Sequence, residues 1–247
     1  MNKIGKLLLS DTVSLMFSQP ENRLNLRAIM DEGKALLINL SGLDGNVKSV
    51  LGCFILALLH MSAISRSDTD AHLRRTFHIH CDEAHQFITD TLESLISETR
   101  KFGASLTLVH QYLSQFGKKK IDALSTVGSA IIFSVDNRDA NYLAKDLQGK
   151  IAPEDLVSLK KYEAVARIDT EVVKIMARPP QPIPTRHFRD QIIEQSRRRY
   201  CRPAYEIREW IRHRNDRWCK PFSPLTTFGD SDNACGISKE LTYDEFD

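Results

Sequence analysis

Three short β-prone runs in this sequence end in polar residues, and helical patterns separate them. Residues 35–40 (ALLINL) lead into Ser41, residues 77–81 (FHIHC) into Asp82 and Glu83, and residues 105–110 (SLTLVH) into Gln111. Runs of this length bounded by turn residues read as strands. The first is apolar without a break, the pattern of a strand covered on both faces. Alternation of strands and helices over residues 34–177 predicts an α/β fold with a doubly wound, mostly parallel sheet. In such sheets ligands bind outside the carboxyl ends of the strands, where these three polar ends converge.

The pair Asp82-Glu83 has a chemical reading and a plain one. An Asp at the carboxyl edge of a buried strand can hold a magnesium ion through water, and the Glu after it can polarise the water that attacks a γ-phosphate. A strand followed by an acidic helix start would look the same, because carboxylates suit the positive end of a helix dipole. These residues alone leave both open.

Two other motifs are weaker. Gly42, Val47, Lys48 and Ser49 fall in the frame of a phosphate-binding loop, G-x-x-x-x-G-K-[ST], between a strand and a helix. Val47 stands where the last glycine belongs, and a β-branched residue resists the backbone geometry that closes around phosphates. A glycine-rich turn with a solvated lysine is expected instead. His78, His80, His85 and Cys81 invite a metal reading, but the spacing lacks a second ligand cluster, so histidines packed under covering helices are expected.

Elsewhere the pattern predicts a helical stop at Gly33, a buried helix over 50–64, a surface loop over 65–75 and a helix over 91–102 that ends in Arg100-Lys101-Phe102-Gly103. A strand follows at 128–135. Asp136 caps a helix over 138–147, a short helix covers 153–159, and 162–168 with 172–177 form a hairpin across Asp169-Thr170. The 50–64 run contains His60 and is shorter than the roughly 20 residues of a bilayer span, so any membrane contact is expected only through partners. Five scattered cysteines favour a reducing cytosol.

Charge divides the chain more sharply than its total of +2 suggests. Residues 1–178 form the expected main domain and 179–185 a proline-rich linker. Residues 186–220 hold eleven Arg or Lys against five acids and read as basic helices broken at Pro203. Residues 221–247 carry six acids and one lysine, the composition of a disordered acidic tail.

Taken together, 35–41, the Leu51-Gly52 helix ending at Arg66, 82–87 (DEAHQF), 98–103 (ETRKFG), 107–111 (TLVHQ) and 128–133 resemble one family. It is the ATPase domain of the HerA/FtsK and TraG/TraD-like motors, which are ring-forming DNA pumps. They include the coupling proteins of conjugation and type IV secretion. The likeness spans residues 1–180. Residues 82–85 also spell the box of a helicase class, whose other motifs are missing here.

The resemblance implies a RecA-like fold, ATP and Mg2+ as cofactors, DNA as a partner and a hexameric ring in the cytoplasm, peripheral at the inner membrane at most. It makes Asp82 the acid that orients magnesium beside ATP, Glu83 the base, and Gln111 the sensor of the γ-phosphate. It makes Arg100 the finger that reaches into a neighbouring subunit's site. The family's phosphate loop precedes the stretch matching 35–40, so the chain is expected to be the C-terminal part of such an ATPase. It would then be inactive without an N-terminal half or a separate chain that carries the loop. Arg197, Arg198, Arg199, Arg212 and Arg214, interleaved with Tyr205, Trp210 and Trp218, are the nucleic-acid candidates. The alternative is a non-catalytic fragment that docks on DNA or protein.

Overall fold

The computed structural model describes residues 10–88, 96, 98–182 and 187–218. The described residues divide into two compact units, one up to Arg202 and one from Pro203.

The first unit begins with α1 (Asp11–Phe17), which buries Val13. In α2 (Leu26–Asp31) the Asn25 side chain accepts from the Ala28 amide at 2.9 Å, satisfying one orphan donor of the first turn. This helix buries Leu26, Ile29 and Met30, and Gly33 (φ +68°) ends the segment as expected. Next comes α3 (Gly45–Ile64), capped by Asp44. By length and composition alone this apolar segment meets the requirement for a membrane span. The helix is longer than the 50–64 run the sequence suggested and is buried on one face only: Leu56, Leu59 and Ala63 pack against α2, while Phe54 and Met61 are exposed.

Strands β1 (Phe77–Cys81) and β2 (Ala104–Leu108) pair in parallel, with Phe77 opposite Ala104 and Cys81 opposite Leu108. Their Ile79 and Ala104 close the cluster begun by α2 and α3. After them come α4 (Lys118–Ser125), β3 (Ser129–Ile132), α5 (Asn137–Asp146), α6 (Pro153–Val157), β4 (Glu163–Ile168) and β5 (Glu171–Met176). The last three strands form an antiparallel sheet in the order β3-β4-β5. The β4–β5 hairpin turns at Asp169, whose φ of +51° is tolerable for an aspartate. A second core of Ile132, Ala140, Ala144, Leu147, Leu156 and Val165 lies between this sheet and α5–α6. Asp136 caps α5 as predicted, accepting from the Arg138 and Asp139 amides at 2.9 Å. Helix α7 (Arg189–Tyr200) completes the unit. The second unit contains α8 (Ala204–Trp218).

Four expectations need correction. The chain is a mixed α/β protein with one parallel pair and one antiparallel sheet, not a mostly parallel sheet among the described residues. Residues 35–40 form no strand, and Leu37 is 83% exposed. A strand needs a neighbour for its backbone groups, and none of the described residues supplies one. His78 and His80 lie on the exposed face of β1, ring to ring at 6.3 Å, because alternation turns Ile79 to the core and the histidines away from it. Among the described residues no group of three or more His, Cys, Asp or Glu side chains is placed to hold a metal ion by itself. The loop 65–75 is not wholly at the surface, since the side chain of Arg66 is fully buried. Most of the predicted helix over 91–102, part of the linker and the acidic tail lie outside the described residues.

Candidate functional site

The parallel pair delivers the site. A backbone bond from Val109 N to Cys81 O (2.9 Å) extends the ladder past the last paired residues, and Ala84 N donates to Val109 O at 2.9 Å. These bonds hold 82–84 and 109–111 side by side at the carboxyl end of the two strands. Asp82 is exposed, and its Oδ1 accepts from the Glu83 amide at 3.0 Å. Glu83 has φ +50°, a left-handed conformation that a glutamate adopts only when its surroundings impose it. The result is a carboxylate aimed at the neighbouring strand's end. Gln111 Nε2 donates to Glu83 Oε1 at 2.6 Å, and His85 Nδ1 stands 3.4 Å from Oε2.

The structure therefore brings Asp82, Glu83 and Gln111 together and adds His85, which the sequence reading expected only as a histidine packed under a covering helix. One exposed carboxylate with a second beside it suits a magnesium ion held mainly through water and phosphate oxygens. Arg100 is elsewhere. It sits in the single turn Arg100–Phe102, just before the amino end of β2. Glu83 follows the carboxyl end of β1, so the strand length of about 16 Å separates them (five residues at about 3.3 Å each). Arg100 cannot serve the carboxylate pair of its own chain.

The loop that resembled a phosphate grip is closed to that role. Helix α3 begins at Gly45, so Val47 and Lys48 already lie inside it. Val47 is buried with Val13 and Leu51. The Asp44 carboxylate accepts from the Asn46 amide at 3.1 Å, placing a negative charge at the helix start where a phosphate would need bare donors.

Behind the pair, His110 Nδ1 is buried without a hydrogen-bond partner, and its ring meets Phe116 edge-on at 4.9 Å. Burial pushes the His110 imidazole below its usual range. Asp139 and Glu83 pull the other way, and His85 adds to the lowering. The folded state thus holds His110 neutral, while the unfolded chain takes up a proton near pH 6.5. Stability contributed by this group is present above about pH 6.5 and is lost as pH falls below it. Thermal melts across a pH series are expected to show a midpoint that drops on the acid side, and His110→Gln is expected to flatten that drop. An equal drop in the variant would assign the acid sensitivity to other groups. Burial, with Asp82 nearby, also raises the Cys81 thiol to about 11.

Arg197, Arg198 and Arg199 are exposed in the last turn of α7, with Arg198 Nε 2.9 Å from Glu194. In the other unit, Arg212 is exposed and Arg214 lies over the Trp210 ring at 5.1 Å. A hollow of about 330 Å³ lies beside Asp155, Glu163 and Lys174 and contains none of the candidate residues.

A bacterial conjugative coupling protein, TrwBΔN70, superposes on 70% of this chain with a TM-score of 0.59 at 16% identity. Over that stretch the chain shares the fold of the coupling protein. VirB4 of Thermoanaerobacter pseudethanolicus matches 57% of the chain (TM-score 0.44, 15% identity). The genome packaging NTPase B204 from Sulfolobus turreted icosahedral virus 2, solved in complex with AMPPCP, matches 66% (TM-score 0.44, 14% identity) and is itself 74% covered. The chain spans 48% of the coupling protein and 40% of VirB4, less than half of each. No family model and no curated protein matches the sequence.

Proposed function

We propose that this chain is the C-terminal part of a DNA-translocating motor ATPase of the coupling-protein type. The observation that carries the reading is the 2.6 Å contact between Glu83 and Gln111 at the ends of adjacent parallel strands. A base and a γ-phosphate sensor need that adjacency. Asp82 is the magnesium-orienting acid, Glu83 the base that activates water, and Gln111 the sensor. Magnesium, when bound with ATP, neutralises the charge that develops on the phosphates. The phosphate grip comes from a segment outside the described residues, upstream or on a separate chain. Arg100 completes the site of a neighbouring copy in a ring. DNA is contacted through Arg197–Arg199 and Arg212 with Arg214, whose charge makes binding steeply salt-dependent. The work is done in the cytoplasm, with membrane contact only through partners.

The test is ATP turnover by the purified chain alone. No turnover above that of the Glu83→Gln variant is expected. Turnover that Lys48→Ala abolishes would overturn the reading and make the 42–49 loop a working grip. A chain that binds DNA but gains no ATPase activity from any loop-bearing partner would be the non-catalytic docking protein instead.

A further inference from the structure

Arg66 is the largest fully buried side chain among the described residues, and it closes a long apolar helix. Burying a guanidinium is costly unless every donor has an acceptor. Arg66 Nε stands 2.9 Å from Asp31 Oδ1, Nη2 donates to Arg75 O at 2.6 Å, and Nη1 donates to Phe102 O at 3.0 Å. Arg74 lies alongside. Its Nε donates to Arg66 O at 3.0 Å, its Nη1 donates to Lys101 O at 2.7 Å, and its guanidinium sits 5.5 Å from the Phe102 ring centre.

These bonds account for every carbonyl of the turn before β2. Arg100 O accepts from Gly103 N at 3.1 Å, Lys101 O from Arg74, Phe102 O from Arg66, and Gly103 O from Phe77 N at 2.9 Å. Gly103, at φ +73°, lets the turn lie against the pair, since a Cβ there would come within 3.3 Å of Arg74 Cβ. A helix end commonly recruits its own basic residues to its last carbonyls. Here residues from another segment perform that task. The Arg100 side chain is exposed and has no ion pair among the described residues. The turn is fixed without it, which leaves the guanidinium available to a neighbour.

We infer that Arg66 and Arg74 form a clamp that positions Arg100, setting its backbone so that the guanidinium is presented outward. They are positioning residues, and their effect on turnover rests on the finger role proposed above for Arg100. The clamp itself is testable on the chain alone, because trypsin cuts after Arg100 and Lys101. In a short tryptic pulse on the native chain, Arg74→Met and Arg66→Met are expected to speed cleavage at those two bonds by about ten- to a hundred-fold, the range for loss of a hydrogen bond to a charged group. Cleavage at Lys145 within α5 should keep its wild-type rate. Arg66→Lys, which keeps the charge but cannot reach both carbonyls and the Asp31 carboxylate, is expected to behave like Arg66→Met. Arg74 is only partly buried, so its variant decides the question even where Arg66→Met fails to fold. Unchanged cleavage at 100–101, or an equal rise at every site, would overturn the clamp.

In completed rings, the double variant Arg74→Met with Arg100→Ala should be no slower than Arg100→Ala alone. A further loss would show that Arg74 acts on turnover by another route. If Arg100→Ala leaves turnover intact, the finger assignment fails, while the cleavage pattern still decides the clamp.

Discussion

Mixing copies that carry Glu83→Gln with copies that carry Arg100→Ala restores ATP turnover that neither variant supports alone. This result is expected once the chain is assembled with a segment bearing the phosphate loop. Each single variant should lose turnover by about 10³-fold or more, since a general base contributes about 10²–10⁴ and an arginine finger about 10³–10⁵. The restoration follows from geometry. Glu83 lies past the carboxyl end of β1 and Arg100 before the amino end of β2, at opposite edges of one parallel pair. A site that needs both must draw them from two copies, across a head-to-tail interface of the kind that closes rings. In an equal mixture about one site in four then has an intact Glu83 on one side and an intact Arg100 on the other. Measured turnover against mixing ratio should pass through a maximum near equal parts. A curve that stays at the floor throughout would mean that each site draws both residues from one copy, and a single variant that keeps its turnover would remove that residue from the chemistry.

The sequence was most legible where local rules suffice. Asp136 as a cap, Gly33 as a stop, the break at Pro203 and the β4–β5 hairpin all follow from side-chain capping or from backbone preferences that act within a few residues. The convergence of Asp82, Glu83 and Gln111 was also readable, because parallel strands must deliver their carboxyl ends to one edge. What local rules could not supply was the neighbour. Residues 35–40 carry the composition of a doubly covered strand, yet strand formation depends on a partner's backbone, and no described residue pairs with them. The opposite error concerns β1 and β2. Their sequences, FHIHC and ASLTL, alternate, which is the mark of a sheet with one open face. The structure follows that alternation, with His78 donating to or accepting from Ser105 Oγ at 2.6 Å on the exposed side. Arg66 was missed because a charged residue after an apolar helix reads as its polar end. Only the fold shows that two carbonyls, of Arg75 and Phe102, and the Asp31 carboxylate are waiting for it.

Gly52→Ala is expected to destabilise the chain in the wild-type background and to stabilise it when Phe87 is also replaced by Ala. In an open helix position Ala is favoured over Gly by about 1 kcal/mol, so the substitution should help. Gly52, however, lies under the Phe87 ring, and a Cβ there would come within 2.1 Å of Cδ1. No carbon pair tolerates that distance, so the ring or its backbone must move. The backbone is held from the same helix face: Ser49 Oγ donates to Gln86 O at 2.6 Å and Cys53 Sγ to Phe87 O at 3.1 Å. Lys120 Nζ donates to Ile88 O at 2.8 Å from the other side. Overpacking against such a fixed segment costs about 1–3 kcal/mol, enough to outweigh the propensity gain. Removing the ring removes the clash and leaves only the gain, so the sign of the effect reverses. Denaturant unfolding of the four chains in this cycle measures the coupling directly. The same segment leads back to Glu83 within one turn, and a displacement of about 1 Å at a catalytic group can cost about 10²-fold in rate. Gly52→Ala in completed rings should therefore lower turnover more than it lowers ATP affinity. If the change destabilises equally with and without the Phe87 ring, Gly52 is needed for some reason other than the close approach of helix and loop.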